Sequence, residues 1–301
     1  MKNTKKWAFS ALILFMTGLV LTGIAFAWAD FSLENLSGQK IIENTYEPDG
    51  EFDKIAISIL NADVIFTRAE DHKTRVEIRE IEKIHHYVQI SDNTLQITSN
   101  DMRKWTDRLS FGMLQTSVTV YLPEDFYVSA FVMTLTGDIS VPDGFSFGNL
   151  DLCTATGKLS VKGVDSESMN IDGTTGRIIL TDIDIQGEFN AHMTTGDVSM
   201  KGVKAKNMTV STTTGDVMLT DVAIEELMSV KVTTGDISFR RCDAGEAYLK
   251  ATTGDIEGAF LTEKRFEAKA TTGRVNVPNT QSGGLCQATT TTGHIDISIG
   301  G

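Results

Sequence analysis

The sequence predicts an all-β protein, a β-solenoid of 19–20-residue Thr-Gly-Asp repeats preceded by one N-terminal transmembrane helix. Three observations carry this. A Thr-Gly pair recurs at a nearly fixed interval through the C-terminal half, the residues flanking each pair alternate apolar and polar, and an uncharged run from Trp7 to Ala29 follows three lysines.

The repeat is the most specific signal. Its glycines are Gly137, Gly157, Gly176, Gly196, Gly215, Gly235, Gly254, Gly273 and Gly293, spaced 19 or 20 residues apart. Two residues after each stands an aliphatic side chain: Ile139, Leu159, Ile178, Val198, Val217, Ile237, Ile256, Val275 and Ile295. Positions four after, five before and seven before are also mostly apolar, as in Val161, Leu152 and Leu150 around Gly157. Intervening positions are mostly polar. Period-two alternation on both sides of a turn predicts two short strands per repeat, each with one buried face.

One such repeat cannot bury its own apolar face. Stacking successive repeats closes a continuous core, with each strand hydrogen-bonded to its counterpart in the next turn. At about 4.8 Å per rung, nine rungs make a rod of roughly 43 Å. An antiparallel meander of hairpins is the rival arrangement, but it does not require the same residue type at every register.

Before Gly137 the design degenerates. Asn61-Ala62-Asp63-Val64 aligns with the Thr-Gly-Asp-Ile pattern, and strand signals follow at Arg75–Arg79, Val88–Ile90, Leu95–Thr98 and Ser117–Leu122. Residues 99–115 mix Trp105, Phe111, Met113 and Leu114 with Arg103, Lys104 and Arg108, and read as a loop or short helix inserted at the edge. The expected organisation is a cytoplasmic N-terminus (1–6), a transmembrane anchor (7–29), a linker (30–50), a degenerate β region (51–130) and the tandem-repeat solenoid (131–301).

The anchor has a competing reading. Twenty-three residues of helix span roughly 34 Å, enough for a hydrocarbon core of about 30 Å. Lys2, Lys5 and Lys6 in front and Asp30 behind put the body outside by the positive-inside rule. Ala25-Phe26-Ala27 and Ala27-Trp28-Ala29 offer signal-peptidase patterns, so cleavage is the alternative. The run exceeds an ordinary signal-peptide core, and Trp7 and Trp28 sit where interfacial aromatics belong, which favours retention. Either way the body is extracytoplasmic.

Composition excludes other classes. The 301 residues include 41% hydrophobic and 22% charged, too apolar for a disordered chain. A net charge of −13 opposes nucleic-acid binding. Cys153, Cys242 and Cys286 form no CxxC or His/Cys zinc spacing, and the sequence has no GxSxG, P-loop or HExxH. His72, His85, His86, His192 and His294 are scattered. Cys242 and Cys286 fall in apolar columns and read as core, whereas Cys153 takes an outward position and is the thiol expected to react. No catalytic, cofactor-binding or metal residue is assigned.

One surface feature stands out. Asp197, Asp216, Asp236 and Asp255 follow the glycine in four consecutive repeats, and stacking would make them an acidic column at about 4.8 Å spacing. Such a column could hold a cation. The preferred reading is turn chemistry, with charges screened by water and salt. Calcium-binding repeat solenoids use a nine-residue Gly-Asp unit that this chain lacks.

A lysine-flanked anchor, a variable strand region ending in Val120-Tyr121-Leu122-Pro123, and tandem Thr-Thr-Gly-Asp-Ile/Val units resemble one bacterial family. It is the toast-rack family of adhesin-labelled β-strand-repeat domains of unknown function, and the resemblance covers about residues 50–301. It implies a surface-exposed β-solenoid and no reaction, with some relatives tied to envelope-stress systems. Lys158, Arg177, Arg274 and His294 depart from the Asp after the glycine. The expected function is a membrane-anchored structural or interaction module at the cell envelope, with protein or envelope-polymer partners. A stress-sensing accessory working through membrane proteins is the alternative, and a carbohydrate-active enzyme is the remote one. The enzyme would need two carboxylates about 5–10 Å apart with split pKa values, and nothing singles out such a pair.

Overall fold

The computed structural model describes residues 41–82, 84–101 and 116–300, and there every regular element is a strand. The Trp7–Ala29 run and residues 102–115 lie outside the described residues. The first strands are β1 (Ile41–Tyr46), β2 (Lys54–Asn61), β3 (Asp63–Arg68), β4 (Arg75–Ile81), β5 (Ile84–Ser91), β6 (Thr94–Asp101) and β7 (Ser117–Leu122). The repeats then supply β8 (Phe126–Thr136), β9 (Ile139–Val141), β10 (Phe145–Lys162), β11 (Val164–Thr214) and β12 (Val217–Thr220). The chain ends with β13 (Ala223–Thr234), β14 (Ile237–Thr253), β15 (Ile256–Phe260), β16 (Lys264–Thr272), β17 (Val275–Asn276), β18 (Gly284–Thr292) and β19 (Ile295–Ile299). Ile41–Tyr46 is therefore a strand inside the stretch expected to be linker. It pairs antiparallel with β4 and places Asn44 and Tyr46 against the end of the domain.

Pairing in the repeat region is parallel at an offset of one repeat. Leu150 lies beside Met169, Gly157 beside Gly176, and Val217 beside Ile237. A coiled stack requires this register, and a meander of hairpins forbids it. Each rung has two arms meeting at the Thr-Gly corner. The first arm holds the residues before the glycine and the second those after it. Isoleucines and valines suit these arms because β-branched side chains pack well on a pleated, half-buried surface.

The alternation resolves into one core. Ile139, Leu159, Ile178, Val198, Val217, Ile237, Ile256 and Ile295 are all buried, as are Leu150, Met169, Phe189 and Met208 on the first arm. Val275 is the exception at 43% exposure. The switch from 19- to 20-residue spacing is absorbed where register allows. In β13 one extra residue at Glu225–Glu226 forms a bulge opposite Ala205–Asn207, and pairing resumes at Asn207–Leu227. A second shift puts Phe260 beside Cys242, so Phe260 is fully buried and Leu261, which stands seven residues after Gly254 as Cys242 does after Gly235, is exposed.

Succession along the stack differs from the expected order at both ends. From Gly137 to Gly254 each rung follows its predecessor. The last two rungs are exchanged: β14 pairs with β18, and β18 pairs with β16, so the rung of Gly273 is outermost. Gly254 N–H donates to Thr292 and Gly293 N–H to Thr272, which fixes the same order at the corner. At the other end β2 lies between β6 and β8, and β3 between β7 and β9. Antiparallel strands then close that end, β5 on β6 and β4 on β7, with β1 beyond β4.

Candidate interaction face

The Thr-Gly corner explains its own conservation of type along the chain. The nine repeat glycines have φ between +135° and +156°. A Cβ at Gly196 would lie 1.8 Å from the Gly176 carbonyl oxygen, so neither strain nor space admits a side chain. Buried threonines three residues before the glycine lock the corner. Thr154, Thr212 and Thr290 donate through Oγ1 to the carbonyls of Gly137, Gly196 and Gly254 at 3.2, 3.2 and 3.0 Å.

The aspartate column is bonded into the same corner. Asp216 N–H donates to Asp197 Oδ1 at 3.2 Å, Asp236 N–H to Asp216 at 2.9 Å, Asp255 N–H to Asp236 at 2.7 Å, and His294 N–H to Asp255 at 2.6 Å. Each carboxylate thus accepts the N–H just after the corner glycine of the next rung, where the chain turns away from the regular backbone ladder. Asp63 and Asp138 do the same for Asp138 and Lys158. Lys158 and Arg177 offer no acceptor but approach carboxylates in the column, Lys158 Nζ at 3.7 Å from Asp138 and Arg177 at 3.4 Å from Asp197. Among the described residues no group of three or more His, Cys, Asp or Glu side chains is arranged to hold a metal ion.

This chemistry separates two substitutions. Asn retains a carbonyl oxygen that accepts the same N–H, while Ala does not. Converting Asp197, Asp216, Asp236 and Asp255 together to Asn should leave the melting temperature level or slightly raised, because four mutually repelling charges go. Converting them to Ala should cost about 2–4 kcal/mol, at roughly 0.5–1 kcal/mol per bond lost. Thermal melts of both variants, with calcium against sodium at matched ionic strength, check this. A calcium-specific rise in the parent that the Asn variant lacks would make the column a cation site.

The first arm's outer face changes character along the stack. Near the N-terminal end β8 turns Phe131, Met133 and Leu135 outward at 41%, 42% and 53% exposure, with Leu60 of β2 beside Leu135's row. Further along, the same columns hold Asp172, His192, Ser211 and Lys231 at one position and Thr174, Thr194 and Thr213 at the other. The two regimes meet in a groove of about 550 Å³, lined by Leu60, Met133, Leu135, Cys153, Asp172 and His192 among others. His192 Nδ1 meets Ser211 Oγ at 2.9 Å, a neighbour contact between adjacent rungs. Side-chain amides extend the polar ladder: Asn170 donates to Asp151 at 2.7 Å and Asn190 to Asn170 at 3.0 Å.

Cys153 is half-buried in this groove, and its thiol pKa is raised by burial and then by Asp172 and Asp151. It is the least buried of the three thiols, yet its surroundings disfavour the reactive thiolate. Cys242 and Cys286 are fully buried, as their columns predicted, and burial pushes Cys286 up to about 12.

Two buried polar clusters escaped the sequence reading. Glu80 and His86 are both nearly inaccessible, with His86 Nδ1 2.5 Å from Glu80 Oε2, and Asn44 of β1 donates to the other oxygen at 2.6 Å. Lys264 is buried with Nζ 2.6 Å from Asp243 Oδ1. Burial alone would raise the Asp243 pKa, but the bonds from Lys264 and Thr262 outweigh it and hold the carboxyl below its usual range. His86 and Lys264 occupy strand positions whose neighbours alternate ordinarily, so only the parity of burial could have marked them.

One family model matches twice, over residues 52–188 and 185–301, and its description is Toastrack DUF4097. The chain belongs to the Toastrack DUF4097 family. Among solved structures, this Toastrack chain is similar to a putative lipid binding protein from Parabacteroides distasonis, at 12% identity and a TM-score of 0.51, over 87% of this chain and 97% of that one. A putative adhesin from Bacteroides fragilis matches at 15% identity and a TM-score of 0.41, covering 86% of this chain and 97% of that one. A putative adhesin from Parabacteroides merdae matches at 14% identity and 0.27, covering 86% and 96%. A search of curated proteins finds no match. At these identities the likeness to the first structure concerns the fold alone.

Proposed function

We propose that this Toastrack protein is a non-enzymatic interaction module, held at the bacterial envelope by the Trp7–Ala29 segment with its β-stack outside the membrane. The observation that supports an interaction role is the apolar outer face of β8. Exposed single hydrophobics are ordinary, but Phe131, Met133 and Leu135 stand in one row, and Met133, Leu135 and the neighbouring Leu60 open onto a groove. Beyond Cys153 and Ala155 of the next rung those columns are polar except at Tyr248, so the row is local to one end. Partners of this face are protein segments or envelope polymers with an apolar edge.

Photo-crosslinking amino acids at Met133 and Leu135, incorporated in intact cells, test the reading. Capture is expected there and not at Thr213, which lies on the same arm beyond the groove. Equal yields from all three positions would sink the proposal. Recovery of small membrane proteins at Met133 would favour a role in envelope stress. Protease added to cells with opened walls and intact membranes should digest the body, and a mature N-terminus at Trp28 or Asp30 would overturn the retained anchor.

A further inference from the structure

We infer that the C-terminal end of the stack is a self-association surface, on which β16 pairs antiparallel with β16 of a second copy about Ala268. The two ends of the stack are finished differently. Antiparallel strands close the N-terminal end, whereas among the described residues β16 pairs only with β18 and β17 only with β19, leaving one backbone edge without a strand partner there. The core columns run out to that edge. Phe266, Ala268 and Ala270 are only partly buried, while their neighbours one rung inward, Cys286, Ala288 and Thr290, are buried. Stacked-repeat proteins need a cap at such an end, and an open strand edge is a template for another strand.

The pattern of β16 selects its own copy. Its outward side chains alternate in charge, Arg265, Glu267 and Lys269, and its inward ones run Phe266, Ala268, Ala270. Antiparallel pairing keeps the core face in register only when the two-fold axis passes through a residue. An axis through Glu267 or Lys269 sets like charges directly opposite. An axis through Ala268 sets Glu267 opposite Lys269 of the copy, twice, and Phe266 opposite Ala270, large against small. Ala268 is also the midpoint of Lys264–Thr272, so this register alone pairs the whole strand. An axis through Phe266 also alternates charge but leaves the strand's last four residues opposite the preceding turn. Cross-strand pairs of opposite charge stabilise and like pairs destabilise, so the arrangement is self-selecting.

Sedimentation equilibrium of the full chain, in mild detergent, reads the association. The parent should form a dimer. Glu267→Lys alone, or Lys269→Glu alone, sets two like-charge pairs across the axis and should weaken the dimer about tenfold. The double reversal restores complementarity and should return the affinity to the parent's. Both changes lie at exposed positions, so the melting temperature of all three variants should hold and report that the chain stays folded. Ala268→Cys should oxidise to a disulfide-linked dimer, whereas Arg265→Cys should not. A parent that remains monomeric throughout the concentration series would overturn the inference and show that the charged edge repels copies. A dimer indifferent to the reversals would overturn it too, by placing the contact elsewhere.

Discussion

Gly235→Ala is expected to destabilise the protein by about 3 kcal/mol or more, measured by urea or thermal unfolding. Two costs combine. At φ +136° an alanine is strained, by about 1–3 kcal/mol for such a region. The added Cβ would also sit 2.2 Å from the Gly215 carbonyl oxygen, and backbone cannot swing aside as a flexible side chain can. Moving it disturbs the bonds on either side, Gly215 N–H to Thr234 and Gly235 N–H to Thr253, both 3.0 Å. Gly144→Ala isolates the first cost. Its φ is +94°, but the nearest atom to a new Cβ is Arg68 Nη1 at 3.5 Å, the far end of a mobile side chain. That variant should lose about 1–2 kcal/mol. Equal losses would mean that close approach between rungs contributes nothing and that backbone strain alone fixes the glycine.

The Thr-Gly period was legible because every rung imposes the same demand at its corner: the glycine must admit a neighbouring carbonyl. In some rungs a buried threonine also donates to that carbonyl, and in some the side chain after the glycine accepts an N–H, so these features recur without being universal. Ala62 shows how far this tolerates change, since it holds the glycine's place against Gly137 and its φ is not in the left-handed region. Columns of alternation located the core equally well, because inward parity on a strand is a local property.

Order along the stack is not local, and there the sequence-based succession failed. Any rung can pair with any other of the same register, so periodicity cannot say which neighbour is chosen. A signal existed in the outward residues. Gln287, Thr289 and Thr291 of β18 are uncharged and suit an interior rung, while Arg265, Glu267 and Lys269 suit an edge. The second corner was missed for another reason. Gly163, Asp182, Gly202, Asp221 and Arg241 recur six residues after the Thr-Gly glycine with φ between +49° and +66°, but the residue type varies. Asp tolerates that conformation, so glycine is not required. Arg241 sits there clasping Asp221 with two bonds of 2.6 Å, which hold the Asp221 carboxyl below its usual range. Of the interaction face, the sequence revealed which residues point outward. It did not reveal that the apolar row of β8 lies beside Leu60, because that neighbour comes from a strand about 75 residues earlier.

Ile237→Asp is expected to cost several kcal/mol, enough to unfold a protein of ordinary stability. Ile237 is fully buried on the second arm, between Val217 and Ile256 of the adjoining rungs. No neighbour in that column can donate to a carboxylate, so the group must either be buried charged and unpaired or take up a proton at the expense of folding. Ile237→Ala controls for size, leaving a cavity at a cost of about 2–5 kcal/mol. Ser238→Asp controls for charge. Its side chain is exposed on the opposite face of the same strand, beside Met218 and Glu257, where one more carboxylate should cost only about 0.5 kcal/mol. The ordering Ile237→Asp, then Ile237→Ala, then Ser238→Asp follows from the inward parity of a single residue. Equal losses at 237 and 238 would mean that the arm after the Thr-Gly corner is turned over by one residue, and with it every column assigned to the core.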